Sequence, residues 1–357
     1  MENMVIMNKN FWLNKRVLIT GHTGFKGSWL LVWLNMLGAD VYGLSLSPLN
    51  GKSLFKEITN KEDLSKDFFV DIRDIEKLKK SINEINPDIV FHLAAQAIVK
   101  QSYNEPVETF STNIMGSVNL LEAVKNCESV RSLVYVTSDK CYENVEWEWG
   151  YRENDRLGGY DPYSASKAAA EIVFSSYLRS FFDLKINLGA ASVRAGNVIG
   201  GGDYSDNRII PDCIRAINNN IPITLRNPLA TRPWQHVLEP LSGYLKLAVE
   251  LYNSPKKYTG SWNFGPSTIE TRTVEEVAKI VINHFGKGEI ITENIQTHHE
   301  AQLLQLNCDR ANQILKWYPR WDVDQTLIET VSWYQKVNEG ANPYETTMNQ
   351  IIKYFNL

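Results

Sequence analysis

A glycine-rich turn near the start of the chain constrains the fold more than any other feature of the sequence. Arg16–Thr20 is a short, β-branched run, typical of a buried parallel strand. It leads directly into Thr20-Gly21-His22-Thr23-Gly24-Phe25-Lys26-Gly27, and the residues up to Leu37 carry apolar side chains at helical spacing. A strand, a glycine turn and a helix in this order predict the first unit of a doubly wound α/β sheet.

The three glycines of this turn have different expected tasks. Gly21 permits a tight turn, Gly24 lets the backbone approach a pyrophosphate, and Gly27 allows close packing of helix against strand. The helix N-terminus adds free N–H groups and the positive end of its dipole. The spacing is GxxGxxG rather than GxGxxG. We expect a dinucleotide to bind here, and its predicted contacts are Gly21, Thr23, Gly24, Phe25, Lys26 and Gly27.

Predicted strands and helices alternate through the first 200 residues. Further strands are predicted at residues 41–44, 68–70, 88–93, 132–137 and 188–194, and the intervening helices include residues 107–126 and a helix after Pro162. This alternation predicts a Rossmann-type, doubly wound parallel sheet over residues 1–200. Segments then become shorter and richer in Pro, Asn and Arg. Residues 201–357 are therefore expected to form a smaller, mixed α/β substrate lobe, with a soft boundary because some elements cross back.

Composition narrows the function classes. A net charge of −4 gives no electrostatic support for nucleic-acid binding, and no apolar run is long enough for a membrane span. The first ten residues lack the pattern of a signal peptide, and the four cysteines lie far apart without a CxxC pair. These features favour a reduced, cytoplasmic protein. His298-His299-Glu300 has no second ligand cluster, so we expect no metal.

Two short strings supply a catalytic set. Tyr163-Ser164-Ala165-Ser166-Lys167 begins a helix, which places Tyr163 and Lys167 at i and i+4 on one face. The pKa of a tyrosine, about 10, is too high for a base at neutral pH, but an ammonium group and an oxidised nicotinamide would stabilise the phenolate. Thr137-Ser138-Asp139-Lys140 ends the fifth strand, where a doubly wound sheet places its chemistry. Ser138 can share a substrate proton with Tyr163.

The order of these motifs resembles the extended short-chain dehydrogenase/reductase family. The resemblance rests on TGxxGxxG, on His92-Leu93-Ala94-Ala95-Gln96, on Ser138 and on YxxxK, and it covers nearly the whole chain. Gly21-His22-Thr23-Gly24-Phe25-Lys26-Gly27-Ser28-Trp29, Thr137-Ser138-Asp139-Lys140-Cys141-Tyr142 and Arg232-Pro233-Trp234-Gln235-His236-Val237 resemble its 4,6-dehydratases that act on CDP-linked glucose. The related dTDP-glucose enzymes carry Thr-Asp-Glu where this chain has Ser138-Asp139-Lys140.

The resemblance implies an NAD-dependent dehydration through internal oxidation and reduction. Tyr163 would take the proton from the sugar O4 while hydride leaves C4, Asp139 would protonate the departing C6 hydroxyl, and Lys140 is the candidate base at C5. Lys140 would need a substantially lowered pKa for that role, and otherwise stabilises an enolate. The stored hydride would then return to C6, giving a 4-keto-6-deoxy sugar. The second strand ends in Gly43-Leu44-Ser45-Leu46-Ser47 without an acid, which leaves NADP open.

The resemblance also implies further contacts. Asp71 and Ile72 would lie at the adenine, although Asp71 fits a solvated loop or a helix cap equally well, and Asn113 would tie down the end of the fourth strand or serve packing alone. The expected cofactor-binding residues beyond the glycine turn are Asp71, Ile72, Ala94, Ala95, Gln96, Asn113, Tyr163 and Lys167. The expected substrate-binding residues are Gln96, Ser138, Arg194, Asn197, Arg208, Arg226 and Arg232. Arg194 equally suits a structural ion pair.

The sequence is also compatible with other functions on the same fold. A sugar-nucleotide 4-epimerase needs Ser138, Tyr163 and Lys167 but no acid and base aimed at C5 and C6. A 4,6-dehydratase of another nucleotide sugar fits the same fold, and a non-catalytic NAD(P) sensor would need only the glycine turn. The resemblance further implies a homodimer or dimer of dimers through residues 107–126 and 161–182. It implies a product that leads to the dideoxy sugars of surface polysaccharide.

Overall fold

A central parallel sheet organises the protein. The computed structural model describes residues 9–48, 51–59, 65–266, 271–292 and 303–355. The strands are β1 (Arg16–Thr20), β2 (Asp40–Ser45), β3 (Lys66–Phe69), β4 (Ile89–His92), β5 (Ser132–Val136), β6 (Gly189–Arg194), β7 (Val198–Ile199), β8 (Ile223–Leu225), β9 (Thr231–Arg232), β10 (Gln235–His236), β11 (Gly260–Asn263), β12 (Arg272–Thr273) and β13 (Ile290–Thr292).

Helices cover both faces of this sheet. In chain order they are α1 (Lys9–Trp12), α2 (Phe25–Met36), α3 (Leu54–Thr59), α4 (Ile75–Ile85), α5 (Val99–Asn104), α6 (Pro106–Phe110), α7 (Gly116–Lys125), α8 (Pro162–Tyr177), α9 (Ile209–Asn218), α10 (Leu238–Asn253), α11 (Pro255–Tyr258), α12 (Val274–Phe285), α13 (Val323–Asn338) and α14 (Pro343–Phe355). Single π-helical turns occupy Ser111–Met115, Leu178–Phe182 and Ala311–Leu315, and a 3₁₀ turn occupies Asp139–Cys141.

Seven strands of the described residues form one parallel sheet in the order β11-β6-β5-β4-β1-β2-β3. Strand β1 lies between β2 and β4, so that Thr20 pairs with Leu44 on one side and with His92 on the other. The chain therefore winds outwards in opposite directions from β1. The loops after β1 and β4 diverge at this point and open the crevice in which such sheets bind ligands. The predicted Rossmann-type fold is confirmed.

Helix α2 is buried on nearly every side. Trp29 and Trp33 have no exposed surface, because the helix lies between the sheet and the C-terminal elements. The Trp29 indole Nε1–H donates to the carbonyl of Gly201 at 2.9 Å, and the Trp33 ring lies 5.2 Å from the ring of Phe355. The first helix after the glycine turn is thus fixed by residues from the far end of the chain.

The C-terminal half of the chain contributes one strand to the main sheet and also forms short two-stranded sheets. Strand β11 extends the sheet beside β6, although it follows residue 200 by 60 positions. Sequence reasoning missed it because Gly260, Ser261 and Asn263 surround a single apolar residue, Trp262. Helices α9 and α14 were also missed. The remaining pairs, β10 with β7, β12 with β9 and β13 with β8, are two or three residues long and form separate two-stranded sheets.

The helix predicted over residues 107–126 is present, but its first part is irregular. Helix α6 begins with Pro106 at its first turn, a π-helical turn follows at Ser111–Met115, and α7 continues to Lys125. The third strand, predicted at residues 68–70, runs over Lys66–Phe69. No helix in the described part of the chain combines the length and apolar character that a membrane span requires.

Candidate active site

The glycine turn adopts a shape that larger residues could not share. Gly21 has φ +75°, and a Cβ there would lie 2.7 Å from the backbone nitrogen of Ala94. A Cβ on Gly27 would lie 2.3 Å from the carbonyl oxygen of Gly21. Gly21 therefore lies in a left-handed turn that favours glycine, and Gly27 lets the start of the helix pack against this turn.

The start of α2 faces the crevice with its backbone. Gly24 is the N-cap of this twelve-residue helix, so no side chain caps the first turn. The Thr23 hydroxyl lies 3.1 Å from the hydroxyl of Ser45 at the end of β2. Unpaired N–H groups at a helix N-terminus, together with the helix dipole, form a site for a phosphate. The prediction that this turn binds a pyrophosphate has the geometry that it needs.

Residues after β4 close the other side of the crevice. The N–H of Ala94 donates to the hydroxyl of Thr20 at 3.2 Å. Asn113, in the first π-helical turn, accepts from the N–H of Gln96 at 2.8 Å and donates to its carbonyl at 3.0 Å. The same amide donates to the hydroxyl of Ser166 at 2.9 Å, and Asn113 therefore ties the end of β4 to helix α8.

Helix α8 carries the tyrosine and the lysine. Pro162 begins the helix, and the Asp161 carboxylate caps it by accepting from the N–H of Ser164 at 3.0 Å. The N–H of Tyr163 donates to the hydroxyl of Ser102 at 3.2 Å. The Lys167 ammonium lies 6.0 Å from the centre of the Tyr163 ring. Both side chains are almost fully buried.

Burial sets the protonation of this pair. It raises the pKa of Tyr163 to about 12, while the Ser138 hydroxyl and Arg208 act to lower it. Burial also lowers the pKa of Lys167 to about 8. The tyrosine is therefore a neutral phenol without its cofactor, and the lysine loses its proton at mildly alkaline pH. A bound cation would be needed to favour the phenolate.

Ser138 and Asp139 follow directly at the end of β5. The Ser138 hydroxyl donates to the Asp139 carboxylate at 2.9 Å and accepts from the N–H of Lys140 at 3.2 Å. Ser138 and Asp139 are buried, whereas Lys140 is half-buried. Asp139 packs so closely on Gly196 that a Cβ there would lie 1.7 Å from a carboxylate oxygen. Only a glycine at position 196 leaves room for this carboxylate.

Asp139 lies in the wall of a small cleft between segments of both halves of the chain. The cleft is lined by Asp139, Gly196, Pro233, Gln235, Gly265, Pro266, Leu304, Gln305 and Leu306. Gln235 is fixed there because its amide donates to the carbonyls of Gly196 and Phe264 at 3.0 and 3.1 Å. Sequence reasoning had singled out only Asp139 among these residues.

Two basic side chains, Arg208 and Lys26, act electrostatically on the predicted catalytic residues. Arg208 pairs with the buried Asp203 at 2.7 Å and acts electrostatically on Tyr163. Burial, Arg208 and Lys167 lower the pKa of Lys26 to about 8, while Asp139 acts to raise it. Lys26, predicted only as part of the glycine turn, thus lies within electrostatic range of the catalytic set.

The predicted substrate residues Arg194, Asn197, Arg226 and Arg232 have different surroundings. Arg194 is 2% exposed and forms a buried ion pair with Glu171 at 2.8 Å, so the prediction that it binds substrate is corrected to the structural alternative. Arg226 is exposed at the end of β8. Arg232, in β9, donates to the carbonyl of Thr231 at 2.8 Å. Asn197 adopts a left-handed conformation, with φ 49°, at the rim of the cleft beside Gly196.

The remaining predicted contacts have partners within the protein. The Gln96 amide donates to the Thr109 hydroxyl at 2.9 Å and to the carbonyl of Ile98 at 3.1 Å. The Asp71 carboxylate pairs with Arg73 at 2.6 Å, and this hydrogen bonding lowers the pKa of Asp71. Ile72 packs against the helix position of Gly116. No group of three potential metal ligands occurs in the described residues, and His298, His299 and Glu300 lie outside them.

Comparison with known proteins fits this geometry. A family model described as GDP-mannose 4,6 dehydratase matches residues 18–330. The chain belongs to the GDP-mannose 4,6-dehydratase family. Within that family's wider relatives, the CDP-glucose 4,6-dehydratase of Salmonella typhimurium is 48% identical over 354 residues, which cover 98% of each chain. The resemblance expected from the motifs is confirmed.

Solved structures of this family and its neighbours share the fold. The UDP-glucose 4-epimerase of Thermus thermophilus, in complex with NAD, superposes with a TM-score of 0.74 at 27% identity, covering 89% of this chain and 98% of that one. The dTDP-glucose 4,6-dehydratase of Bacillus anthracis, also in complex with NAD, gives a TM-score of 0.75 at 23% identity over 93% and 99% of the two chains.

Proposed function

We propose that this protein is an NAD-dependent hydro-lyase that converts CDP-D-glucose to CDP-4-dehydro-6-deoxy-D-glucose. The observation that carries the proposal is the meeting of Tyr163, Lys167, Ser138 and Asp139 at one strand end, beside the glycine turn. The substrate follows from the 48% identity to the Salmonella typhimurium enzyme along almost the entire chain. The product would lead towards dideoxy sugars of surface polysaccharide.

The glycine turn has the shape for the cofactor. Gly21 and Gly27 leave no room for a Cβ, and the first turn of α2 presents backbone N–H groups where a pyrophosphate would lie. Tyr163 and Lys167 would hold the nicotinamide end, and Ala94, Ala95 and Gln96 would line the other wall. When bound, NAD⁺ supplies a hydride acceptor that later returns the same hydride.

The side chains divide the proton transfers between them. Tyr163 takes the proton of the sugar O4 hydroxyl, and the neighbouring Ser138 hydroxyl stabilises that oxygen by hydrogen bonding. Oxidation at C4 acidifies the proton on C5, for which Lys140 is the candidate base. Asp139 protonates the C6 hydroxyl as it departs. The elimination breaks the C5–H and C6–O bonds, and one water leaves; when the C5–C6 double bond is later reduced, C5 regains a proton, for which the protonated Lys140 is the candidate donor.

A 4-epimerase is the second candidate on this scaffold, and the neighbour from Thermus thermophilus carries that description. An epimerase has no use for an acid beside the cleft. The burial of Asp139 against Gly196, directly next to Ser138, favours the dehydratase. A non-catalytic sensor would not need the buried Tyr163 and Lys167 pair.

We also propose a homodimer, formed through the surface of α6, α7 and α8. Apolar side chains on these helices and on the π-helical turn between α6 and α7 are exposed in the single chain: Val107 is 81% exposed, Met115 53% and Ile172 58%. Clustered exposed apolar residues mark protein interfaces. A second copy of the same helices would cover them. The four cysteines are free thiols, which is consistent with a reducing compartment, and we place the enzyme in the cytoplasm.

The deciding experiment presents the purified protein and NAD⁺ separately with CDP-glucose, dTDP-glucose, UDP-glucose and GDP-mannose. Products are followed by mass spectrometry. We expect loss of one water from CDP-glucose, without net formation of NADH. Water loss from another nucleotide sugar would overturn the choice of CDP. An unchanged mass with an altered retention time would favour the epimerase.

The role of Asp139 has its own test. Asp139→Asn keeps the size of the side chain but cannot donate the proton that the leaving hydroxyl needs. We expect water loss to slow by about 10²-fold, within the range of general acid catalysis, while oxidation at C4 continues. Reduced cofactor should then accumulate and be visible in stopped-flow absorbance. A trace without that accumulation would remove Asp139 from the elimination step.

A further inference from the structure

A buried carboxylate behind the catalytic residues is not used by the proposed chemistry. Glu171 lies on α8, one helical turn beyond Lys167 and two turns beyond Tyr163, so that the three side chains share one face of the helix. Its side chain is 1% exposed. A charge at such a depth is costly unless it is fully paired, and its position so close to the catalytic pair requires a physical reason.

The Glu171 carboxylate is fully hydrogen-bonded. One oxygen accepts from the Thr137 hydroxyl at 2.5 Å and from Arg194 Nε at 2.9 Å. The other accepts from the Ser192 hydroxyl at 2.8 Å and from an Arg194 terminal nitrogen at 2.8 Å. The bidentate geometry with arginine is the strongest that such a pair can form. Burial would raise the pKa of Glu171, but Arg194 and these hydrogen bonds hold it below its usual value.

These partners belong to the strand ends that carry the site. Thr137 immediately precedes Ser138, and its N–H donates to the carbonyl of Val193 in β6 at 2.9 Å. Arg194 also donates to the Tyr142 hydroxyl at 2.7 Å, just beyond the turn that contains Asp139 and Lys140. Glu171 therefore connects the helix of the tyrosine and lysine to both ends of the segment that carries the serine and the acid.

The structure assigns Glu171 as a positioning residue: with Arg194 as its counter-ion, it holds the Ser138 segment against α8 and keeps a negative charge facing the Lys167 ammonium. This inference rests on the proposed function, because it concerns Tyr163, Lys167 and Ser138, to which that function assigns the oxidation at C4. Glu171 itself touches no substrate. It acts through Thr137 on Ser138 and through its charge on Lys167.

The charges around Lys167 make the second part of this role testable. Burial lowers the pKa of Lys167, while Cys141 and Glu171 act to raise it. Cys141 is an uncharged thiol at neutral pH, because burial raises its pKa. His92, on β4, is held neutral by burial, and Lys26, on α2, acts on Lys167 as a like charge. The Glu171 carboxylate is therefore the negative charge that favours the ammonium form.

The test compares the pH dependence of hydride transfer, measured as cofactor reduction in a single turnover. Glu171→Gln keeps the size of the side chain but removes the charge, so Lys167 should lose its proton at lower pH. We expect the alkaline limb of the rate to move down by about one pH unit. We also expect kcat to fall about 10-fold with KM for CDP-glucose unchanged, because the substrate cleft is intact.

Two further variants separate positioning from simple stabilisation. Ser192→Ala removes one hydrogen bond to the same carboxylate without a change of charge, and its pH profile should match that of the wild type. Removal of one partner of a buried ion pair is strongly destabilising, whereas replacement of both by apolar residues is often close to neutral. The double variant Glu171→Leu with Arg194→Met therefore supplies the test if Glu171→Gln does not fold.

An active double variant with the kcat and alkaline limb of the wild type would overturn the inference and leave the pair a purely structural one. A lowered kcat with a shifted limb supports it. Failure of the proposed function is a separate outcome, because it appears in the wild type as no reaction with CDP-glucose. The same pH comparison is then made with whichever nucleotide sugar reduces the cofactor.

Discussion

The proposed cofactor side of the site, which is the glycine turn, and its proposed substrate side, which is the cleft beside Asp139, are built in different ways. On the cofactor side, the four-residue turn between β1 and α2 and the first turn of α2 fix the geometry through the backbone, with Gly21 at φ +75° and Gly27 against the Gly21 carbonyl. On the substrate side, the cleft is assembled from segments far apart in the chain, such as those of Gly196, Gln235 and Leu306. Local spacing encodes the first arrangement, whereas only tertiary structure creates the second.

The two halves of the chain also differ in how they hold a buried carboxylate. Behind the catalytic helix, the carboxylate of Glu171 is neutralised by Arg194. In the C-terminal half, Glu239 is also fully buried, but its carboxylate is held by backbone N–H groups and by the Tyr354 hydroxyl at 2.7 Å. Arg194 and the hydrogen bonds hold the pKa of Glu171 below its usual value, whereas burial raises the pKa of Glu239 to about 7.

The sharpest test of the cofactor side is Tyr163→Phe. In the proposed mechanism the Tyr163 phenolate is the base for the O4 proton, so we expect turnover to fall by at least ~10²-fold with nucleotide-sugar binding little changed. Tyr160→Phe is the matched control, because Tyr160 lies three residues earlier and is 79% exposed. The measurement is the steady-state rate of water loss in each variant, compared with that of the wild type. Near-normal turnover in Tyr163→Phe would exclude the tyrosine from the reaction.

The sequence predicted the parts of the site that depend on short-range spacing. The strand, turn and helix over residues 16–36, and the pairing of Tyr163 with Lys167, are properties of residues close together in the chain. Strand β11 could not be predicted, because a strand with one apolar residue has no periodic signal. Arg194 was equally ambiguous, since a single arginine at a strand end does not reveal that its partner is Glu171, 23 residues earlier.

Gln235 shows where a signal existed but was not interpreted. It lies inside the Arg232-to-Val237 string that carried part of the resemblance, but nothing in the string distinguishes a cleft residue from its buried neighbours. Leu304 and Leu306 offered no signal at all. They reach the cleft because the backbone of Tyr151 bonds to that of Gln305 and Asn307 at 2.9 Å in each case.

The backbone basis of the glycine turn can be tested by Gly27→Ala. The added methyl group would lie 2.3 Å from the Gly21 carbonyl oxygen, so helix and turn must separate. We expect the free energy of unfolding to fall by about 1–3 kcal/mol, as for other overpacked sites, together with weaker NAD⁺ binding. Urea unfolding without cofactor measures the first effect.

Gly24→Ala is the control for that experiment. Gly24 has φ −81°, and the nearest atom to an added Cβ lies 3.3 Å away, so the unfolding free energy measured without cofactor should change little. Equal destabilisation by the two substitutions would show that an added methyl group has the same effect at either glycine, whatever the local backbone geometry. The geometry of the cofactor side would then not depend on the backbone conformation of Gly27.

The substrate side should respond to Gln235→Leu. This change removes the donors to the Gly196 and Phe264 carbonyls, and it loosens the wall against which Asp139 packs. We expect kcat/KM for the nucleotide sugar to fall about 10-fold, the size expected for unsatisfied buried carbonyls, with NAD⁺ affinity unchanged. Gln101→Leu, at an exposed glutamine, is the control. Weakened NAD⁺ binding in Gln235→Leu would show that the two sides are not independent.

The smallest expected effect concerns the contrast between Glu171 and Glu239. Burial raises the pKa of Glu239 from 4.5 to about 7, although the N–H groups of Trp321 and Arg320, the charge of Arg320 and the Tyr354 hydroxyl act to lower it. An unfolded chain would ionise this group more readily, so its contribution to stability is complete below about pH 4.5 and is lost as the pH rises through about 7. We expect the free energy of unfolding to fall by an amount on the order of 1 kcal/mol between about pH 6 and about pH 8.

The variant Glu239→Gln cannot ionise, so its free energy of unfolding should change less over this pH range. Glu171 has the opposite sign, because its pKa is lowered and its stabilisation is lost only on acidification. If wild type and Glu239→Gln show the same slope near neutral pH, the second half of the chain holds its carboxyl charged as the first half does, and the distinction between the two regions disappears.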